Sequence, residues 1–311
     1  MKKVLISLVG CALLVGCQSP EIVQQKEEQS IEQSTSKALD QLQSYNIQWS
    51  HLVDEASRQY LKERFEKVGI QEVNQQFFWN DVDRSLQYFD TTRLVQQSFE
   101  RLPYQFLEID PDFQYEKWEE EQGEFIGYNC RITSYGLLRD LLVLPSVQPA
   151  ADGQLFMDRD AIETSPDDVF NDEQLEEFKQ LFSKVETDES KEIEPHLEKI
   201  QHMLKERKIE FPKGDVSIGT VWLHAMEDEG NFLFVGHTGI IFEEEEGRIT
   251  LLEKVSFQEP YQLMTFPHRQ ALNDYWMTKY DVNQHQPMAK PIILENDQLI
   301  EGYRPNLDNP S

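Results

Sequence analysis

Apolar positions along the chain change their period near Gly214, and that change divides the protein. Before it they recur every three or four residues, as on helices that bury one face. Leu52, Val53, Ala56, Tyr60, Phe65 and Val68 mark a first helix over Trp49–Val68, with Ser50 placed to cap its start and Gly69 its end. A second spans Val73–Phe89, and a third covers residues 92–107 until Pro103 breaks it. Ile132, Tyr135, Leu138 and Leu142 give another over residues 131–142, followed by a turn-rich stretch with Pro145, Pro149 and Gly153. Between Asp158 and Pro212, 17 Asp/Glu stand against 8 Lys/Arg. There Leu175, Phe178, Leu181 and Phe182 form one helical stripe, and Leu197, Ile200 and Leu204 form a second started by Pro195. This predicts a two-helix acidic insertion whose charges are a solvated face.

Past Gly214 the pattern is that of strands: Val216–Met226, Phe232–Phe242 and Arg248–Phe257. The gaps between them, Glu227–Asn231 and Glu243–Gly247, are short enough for an antiparallel meander. A last helix, Pro267–Tyr280, packs through Leu272, Tyr275 and Trp276, and the tail from Asp281 reads as loop. The fold class is α+β: N-terminal helices plus an antiparallel sheet, with a helical insertion at residues 158–212.

The first residues change the compartment. Met1-Lys2-Lys3 precedes an apolar run from Val4 to Val15, which is a secretory signal and too short to span a bilayer. Leu14-Val15-Gly16-Cys17 looks like a lipobox, which implies cleavage of residues 1–16 and lipid attachment at Cys17. Residues 17–44, rich in Gln, Glu and Ser and without aromatics until Tyr45, read as a flexible tether holding the domain roughly 25–30 Å from the membrane. One domain over residues 45–303 and a tail at 304–311 complete the chain, outside the cytoplasm and lipid-anchored. Its formal charge of −28 excludes nucleic acid as a partner and leaves no electrostatic hold on anionic lipid, so the anchor has to be covalent.

Cysteine count then isolates one thiol. Of Cys11, Cys17 and Cys130, the first leaves with the signal and the second is consumed by lipid. An unpaired cysteine outside the cytosol is a candidate reactive thiol. Cys130 also sits where a helix begins, and the free amides and positive dipole end there favour thiolate. If Glu243–Gly247 is a hairpin turn, residues whose numbers sum to about 490 oppose each other, which puts His237 across from Glu253. Thiolate, imidazole and a polar group that orients the imidazole are the parts of nucleophilic cysteine catalysis. Gly236 and Gly239 flank the histidine and leave room for a substrate backbone. His224, on the neighbouring strand, is the rival base. Taken singly, Cys130 is as readily a small buried hydrophobe and His237 a satisfied strand histidine. One Cys and one His give no zinc motif, the acidic segment has no calcium-loop spacing, and no cofactor is implied.

A cysteine capping a helix, then a strand beginning Gly236-His237-Thr238-Gly239-Ile240, then a polar residue one strand later, resembles the NlpC-type branch of the papain-like cysteine hydrolases. More closely, GYNCRIT, FVGHTGI, EKVSFQEPYQ and Ile293-Leu294-Glu295-Asn296-Asp297 resemble a family of bacterial lipoproteins of unknown function, over residues 45–303. The resemblance implies a papain-like fold, Cys130 as nucleophile and His237 as base, in the unpermuted order. The third residue of that branch is usually His, Asn or Gln, so Gln258 stands beside Glu253 for that role. Tyr128 and the amides at Cys130 are candidates to stabilise an oxyanion. The expected substrate is an amide bond in peptidoglycan stem peptides or other envelope peptides. A non-catalytic binding lipoprotein and a thioester or acyl transferase are the alternatives.

Overall fold

Alternation after Gly214 produces the sheet on which everything else is hung. The computed structural model describes residues 36–101, 112–145, 153–228, 230–283 and 285–310. Strands β4 (Val216–Glu227), β5 (Gly230–Glu243), β6 (Ile249–Lys254) and β7 (Tyr261–Phe266) form the meander. Short strands extend it: β1 (Gln48–Ser50) and β2 (Glu100–Arg101) beyond β7, and β8 (Ile292–Glu295) and β9 (Gln298–Leu299) beyond β4. The order is β2-β1-β7-β6-β5-β4-β8-β9, antiparallel throughout, with β3 (Val185–Glu186) on β5.

Both faces of this sheet are buried. Ile240, Phe242, Leu252, Leu263, Ile292 and Leu294 point to one side, where Leu61 and Phe65 of α2 (Glu55–Val68), Phe78 and Val82 of α3 (Glu72–Leu86) and Ile132 of α5 (Cys130–Leu138) cover them. Ile241, Leu251, Met264 and Ile293 point to the other, against Leu42 of α1 (Lys37–Ser44) and Leu272, Tyr275 and Trp276 of α9 (Arg269–Tyr280). The strict change of side between neighbouring residues is the period-two geometry of a strand. The result is an α+β protein with helices on both faces of an antiparallel sheet.

Several elements depart from the sequence expectation. Residues 37–44 are helix rather than tether: Ser36 caps α1, and Ala38 and Leu42 are buried. Trp49 and Ser50 lie in β1, paired with β7, so α2 starts later and its cap is Asp54, although Gly69 ends it in the left-handed conformation as expected. In place of a helix over 92–107 there is a single turn at Thr91–Arg93 and then β2, while residues 102–111 lie outside the described residues. The helix α4 (Tyr115–Gln122), seven of whose eight residues are exposed or partly exposed, shows no apolar stripe to betray it. The third strand stops at Lys254, and β7 follows. The tail is not all loop, because β8 pairs with β4.

The insertion holds three helices, α6 (Phe156–Glu163), α7 (Asp172–Phe182) and α8 (Ile193–Glu206), together with β3. Ala161, Phe178, Phe182, Ile200 and Leu204 join the main core, so the segment is integral to the domain. Its charges are not all a solvated face, since Asp158 is completely buried.

Candidate functional site

Asn129 sets the start of α5. Its extended backbone and its side-chain oxygen, accepting from the Ile132 amide at 3.0 Å, form an N-cap that leaves Cys130 as the first helical residue. The loop is braced from the insertion. Asp158 takes two hydrogen bonds from the Arg131 guanidinium, at 2.8 and 2.7 Å, and one from the Asn129 amide at 2.8 Å. Arg131 also donates to the Val235 carbonyl of β5 at 2.8 Å, tying the helix start to the strand that carries the histidine.

The β5–β6 turn centres on Glu246 and Gly247, both at positive φ. The register is therefore two residues away from the expected one: Gly239, not His237, stands opposite Glu253. A two-residue shift keeps every side chain on its face, whereas a one-residue shift would have reversed it. His237 still reaches the carboxylate diagonally, its Nε2 2.7 Å from Glu253 Oε2. The same carboxylate accepts from Trp276 Nε1 at 3.0 Å and from the Tyr275 hydroxyl at 2.6 Å, and Lys279 Nζ donates to that hydroxyl at 3.0 Å. Tyr280 stacks on the imidazole, with centroids 5.4 Å apart and planes 24° from parallel.

The ladder of β6 on β5 ends at Gly239–Glu253. There the N-terminus of α5 meets β5, and the Cys130 sulfur contacts both the His237 imidazole and the Thr238 amide. With Nε2 committed to Glu253 and Nδ1 buried without a directional hydrogen bond, Nδ1 is the ring atom left for the thiol. Cys130 is 4% exposed and His237 and Glu253 1% each.

Charge balance favours the ionised pair. Burial pushes the Cys130 thiol up, but the His237 charge and hydrogen bond, with Arg131 and the Thr238 amide, bring it below its ordinary value. Burial pushes His237 down, and the Cys130 charge and hydrogen bond, then Glu253, carry it from 6.5 up to about 9. Glu253 is raised by burial, yet the Lys279 charge, the His237 hydrogen bond and charge and the Tyr275 hydroxyl hold it at about 2. The arrangement suits a thiolate beside an imidazolium that an ionised carboxylate orients.

The remaining expected residues lie elsewhere. Tyr128 is buried with its ring on Phe77 and Phe125, and its hydroxyl is engaged 2.5 Å from Ser165 Oγ and 3.3 Å from Asp167. Gln258 lies beyond the end of β6 and donates to the Ile126 carbonyl at 2.8 Å, holding the loop before the cysteine instead of the histidine. The space beside Gly236 and Gly239 is filled by Leu223 and Leu251, so those glycines serve packing and not a substrate. His224 accepts from the Ala289 amide at 3.0 Å, its ring 4.6 Å from His196. Cys17 falls outside the described residues, and no described helix is long and apolar enough to cross a membrane.

Asp158, Tyr280 and the polar tips of Tyr275 and Trp276 escaped sequence reasoning. Tyr275 and Trp276 were legible only as core. A buried hydroxyl and indole N–H need acceptors, and a buried carboxylate needs donors, which is the signal that links them to Glu253.

Fold and site together define an α+β protein that buries a cysteine, a histidine and a glutamate in mutual contact where a helix N-terminus meets the end of a β-ladder. The chain belongs to the DUF4300 family, described as a domain of unknown function, which matches residues 48–300. No curated protein and no solved structure matches it.

Proposed function

We propose that this protein is a cysteine hydrolase of the NlpC-type, papain-like kind, held outside the cytoplasm by lipid on Cys17 and cleaving amide bonds in cell-wall or other envelope peptides. The observation that carries the reading is the Cys130–His237–Glu253 contact, with one imidazole nitrogen committed to the carboxylate and the other left for the sulfur. In the reaction the Cys130 thiolate attacks the scissile carbonyl carbon. His237 then gives its proton to the leaving amine, and a water deprotonated by the same ring releases the acid from the thioester. First-turn amides of α5, which no intrahelical bond can satisfy, are the natural donors to the oxyanion. Glu253 keeps the imidazole oriented and stabilises its charge.

The near-complete burial of the thiol favours a second reading, a binding lipoprotein with an inert cysteine. Turnover of peptidoglycan fragments and a peptide panel separates the two. Hydrolysis lost in both Cys130→Ala and His237→Ala supports the enzyme. Turnover unaffected by either variant, or no turnover at all with an unreactive Cys130, leaves the binding reading.

A further inference from the structure

Beside Arg131 a cavity of about 600 Å³ opens over β4 and β5. Its walls are Phe156, Phe232 and Phe234, and Lys184 and Glu227 also line it. Phe156 is 61% exposed, an unusual place for a phenylalanine at the start of α6, and Met157 next to it is exposed as well.

The groove and the candidate site are neighbours along β5. Along β5, Phe232 pairs with Ala225, Phe234 with Leu223 and His237 with Val221. The register shift at Val221/Trp222 places one extra β5 residue between Phe234 and His237, so all three side chains lie on one face. Phe234 is then roughly 7 Å along the strand from His237, about the span of two residues of β4. From the other direction the groove is bounded by Arg131, the residue after the thiol.

Its chemistry is selective. Arg131 is neutralised by Asp158 and presents no free charge. Lys184 has its ammonium 4.4 Å over the Phe232 ring and no carboxylate partner among the described residues. Glu227 is exposed to solvent. An aromatic floor under an unpaired ammonium fits an apolar side chain that carries a carboxylate close by.

We infer that this groove is the specificity subsite of the Cys130 hydrolase, taking a large apolar side chain next to the scissile amide and a carboxylate at Lys184. The inference rests on the hydrolase reading, and alkylation tests the two separately. The Cys130 sulfur displaces iodide from an iodoacetyl group, forming S–C as C–I breaks. Rates are compared for iodoacetamide, N-iodoacetyl-glycine, N-iodoacetyl-phenylalanine and the amide of the last. The phenylalanine reagent should react at least about tenfold faster than the glycine one, a difference within the reach of one well-filled apolar pocket. Phe156→Glu, at an exposed position that tolerates polarity, should remove that advantage, and Lys184→Glu should remove the preference for the free carboxylate over its amide. Equal rates for the glycine and phenylalanine reagents, with Cys130 still reacting readily with iodoacetamide, would overturn the subsite and leave the hydrolase standing. A Cys130 inert to all four would overturn both.

Discussion

Glu253 holds His237 from a position two residues out of line with it on the neighbouring strand, 2.7 Å away and with no solvent between them. The diagonal contact fixes which ring nitrogen faces the carboxylate and therefore which faces the thiol. It also places the imidazole between two anions, and that sandwich, rather than any single neighbour, makes its charged form the stable one.

Cys130 should therefore alkylate as a thiolate below the pH of a free cysteine, whose midpoint is about 8.5. Iodoacetamide labelling against pH measures this. His237→Ala should move the midpoint up, since burial alone opposes ionisation. Glu253→Gln should move it in the same direction by less. Gln258→Ala, which removes only a bond to the Ile126 carbonyl, should leave it in place. A midpoint that shifts with Gln258→Ala and not with Glu253→Gln would reassign the orienting role.

Glu253 also contributes to stability in a pH window set by its own ionisation. Its carboxyl titrates at about 2 in the fold against 4.5 ordinarily. The stabilisation is therefore complete above pH 4.5 and lost as pH falls through about 2, and linkage makes it on the order of 3 kcal/mol. Urea denaturation of the wild type and Glu253→Gln should show the largest gap at pH 7 and a narrowing gap at pH 3. A gap that does not change with pH would mean the carboxylate is not ionised in the fold.

Asp158 is a buried anion shared by Asn129 and Arg131. Its replacement by Ala leaves the guanidinium without its counter-charge, a loss of about 3–5 kcal/mol for a buried pair broken on one side. Chemical denaturation should register it, and iodoacetamide labelling should slow because the helix start that carries Cys130 loses its brace. Asp160→Ala, two residues further on the same helix, should change neither.

Replacing Cys17 with Ser should release the protein from membranes, since the proposed lipid is the whole of its hold. A processed Cys17→Ser chain that still fractionates with membrane would place the anchor elsewhere.

Much of the site was legible because its signals are local. A cysteine before an apolar 3.6-residue stripe, and a histidine and a glutamate on either arm of a short hairpin, are readable from spacing alone. The turn centre was misplaced because the Glu244–Gly247 run offers several positions for the reversal, and only the positive φ at Glu246 and Gly247 decides. Parity protected the inference from that error. Asp158 could not be read, because its partners Asn129 and Arg131 lie nearly thirty residues away and an acid among 17 gives no sign of being the buried one. Tyr128 and Gln258 misled for a related reason: adjacency to the site in sequence does not fix where a side chain points.

The sheet draws its outer strands from opposite ends of the domain. β1 at residues 48–50 closes against β7, and β8 at residues 292–295 closes against β4. Such long-range pairings make folding slow and leave β4 with an open, apolar edge until residue 295 has joined it. A nascent chain emerging in sequence order thus reaches His237 and Glu253 before it can finish the sheet that positions them. Chains that have not yet reached residue 295 are therefore the ones most prone to associate edge to edge.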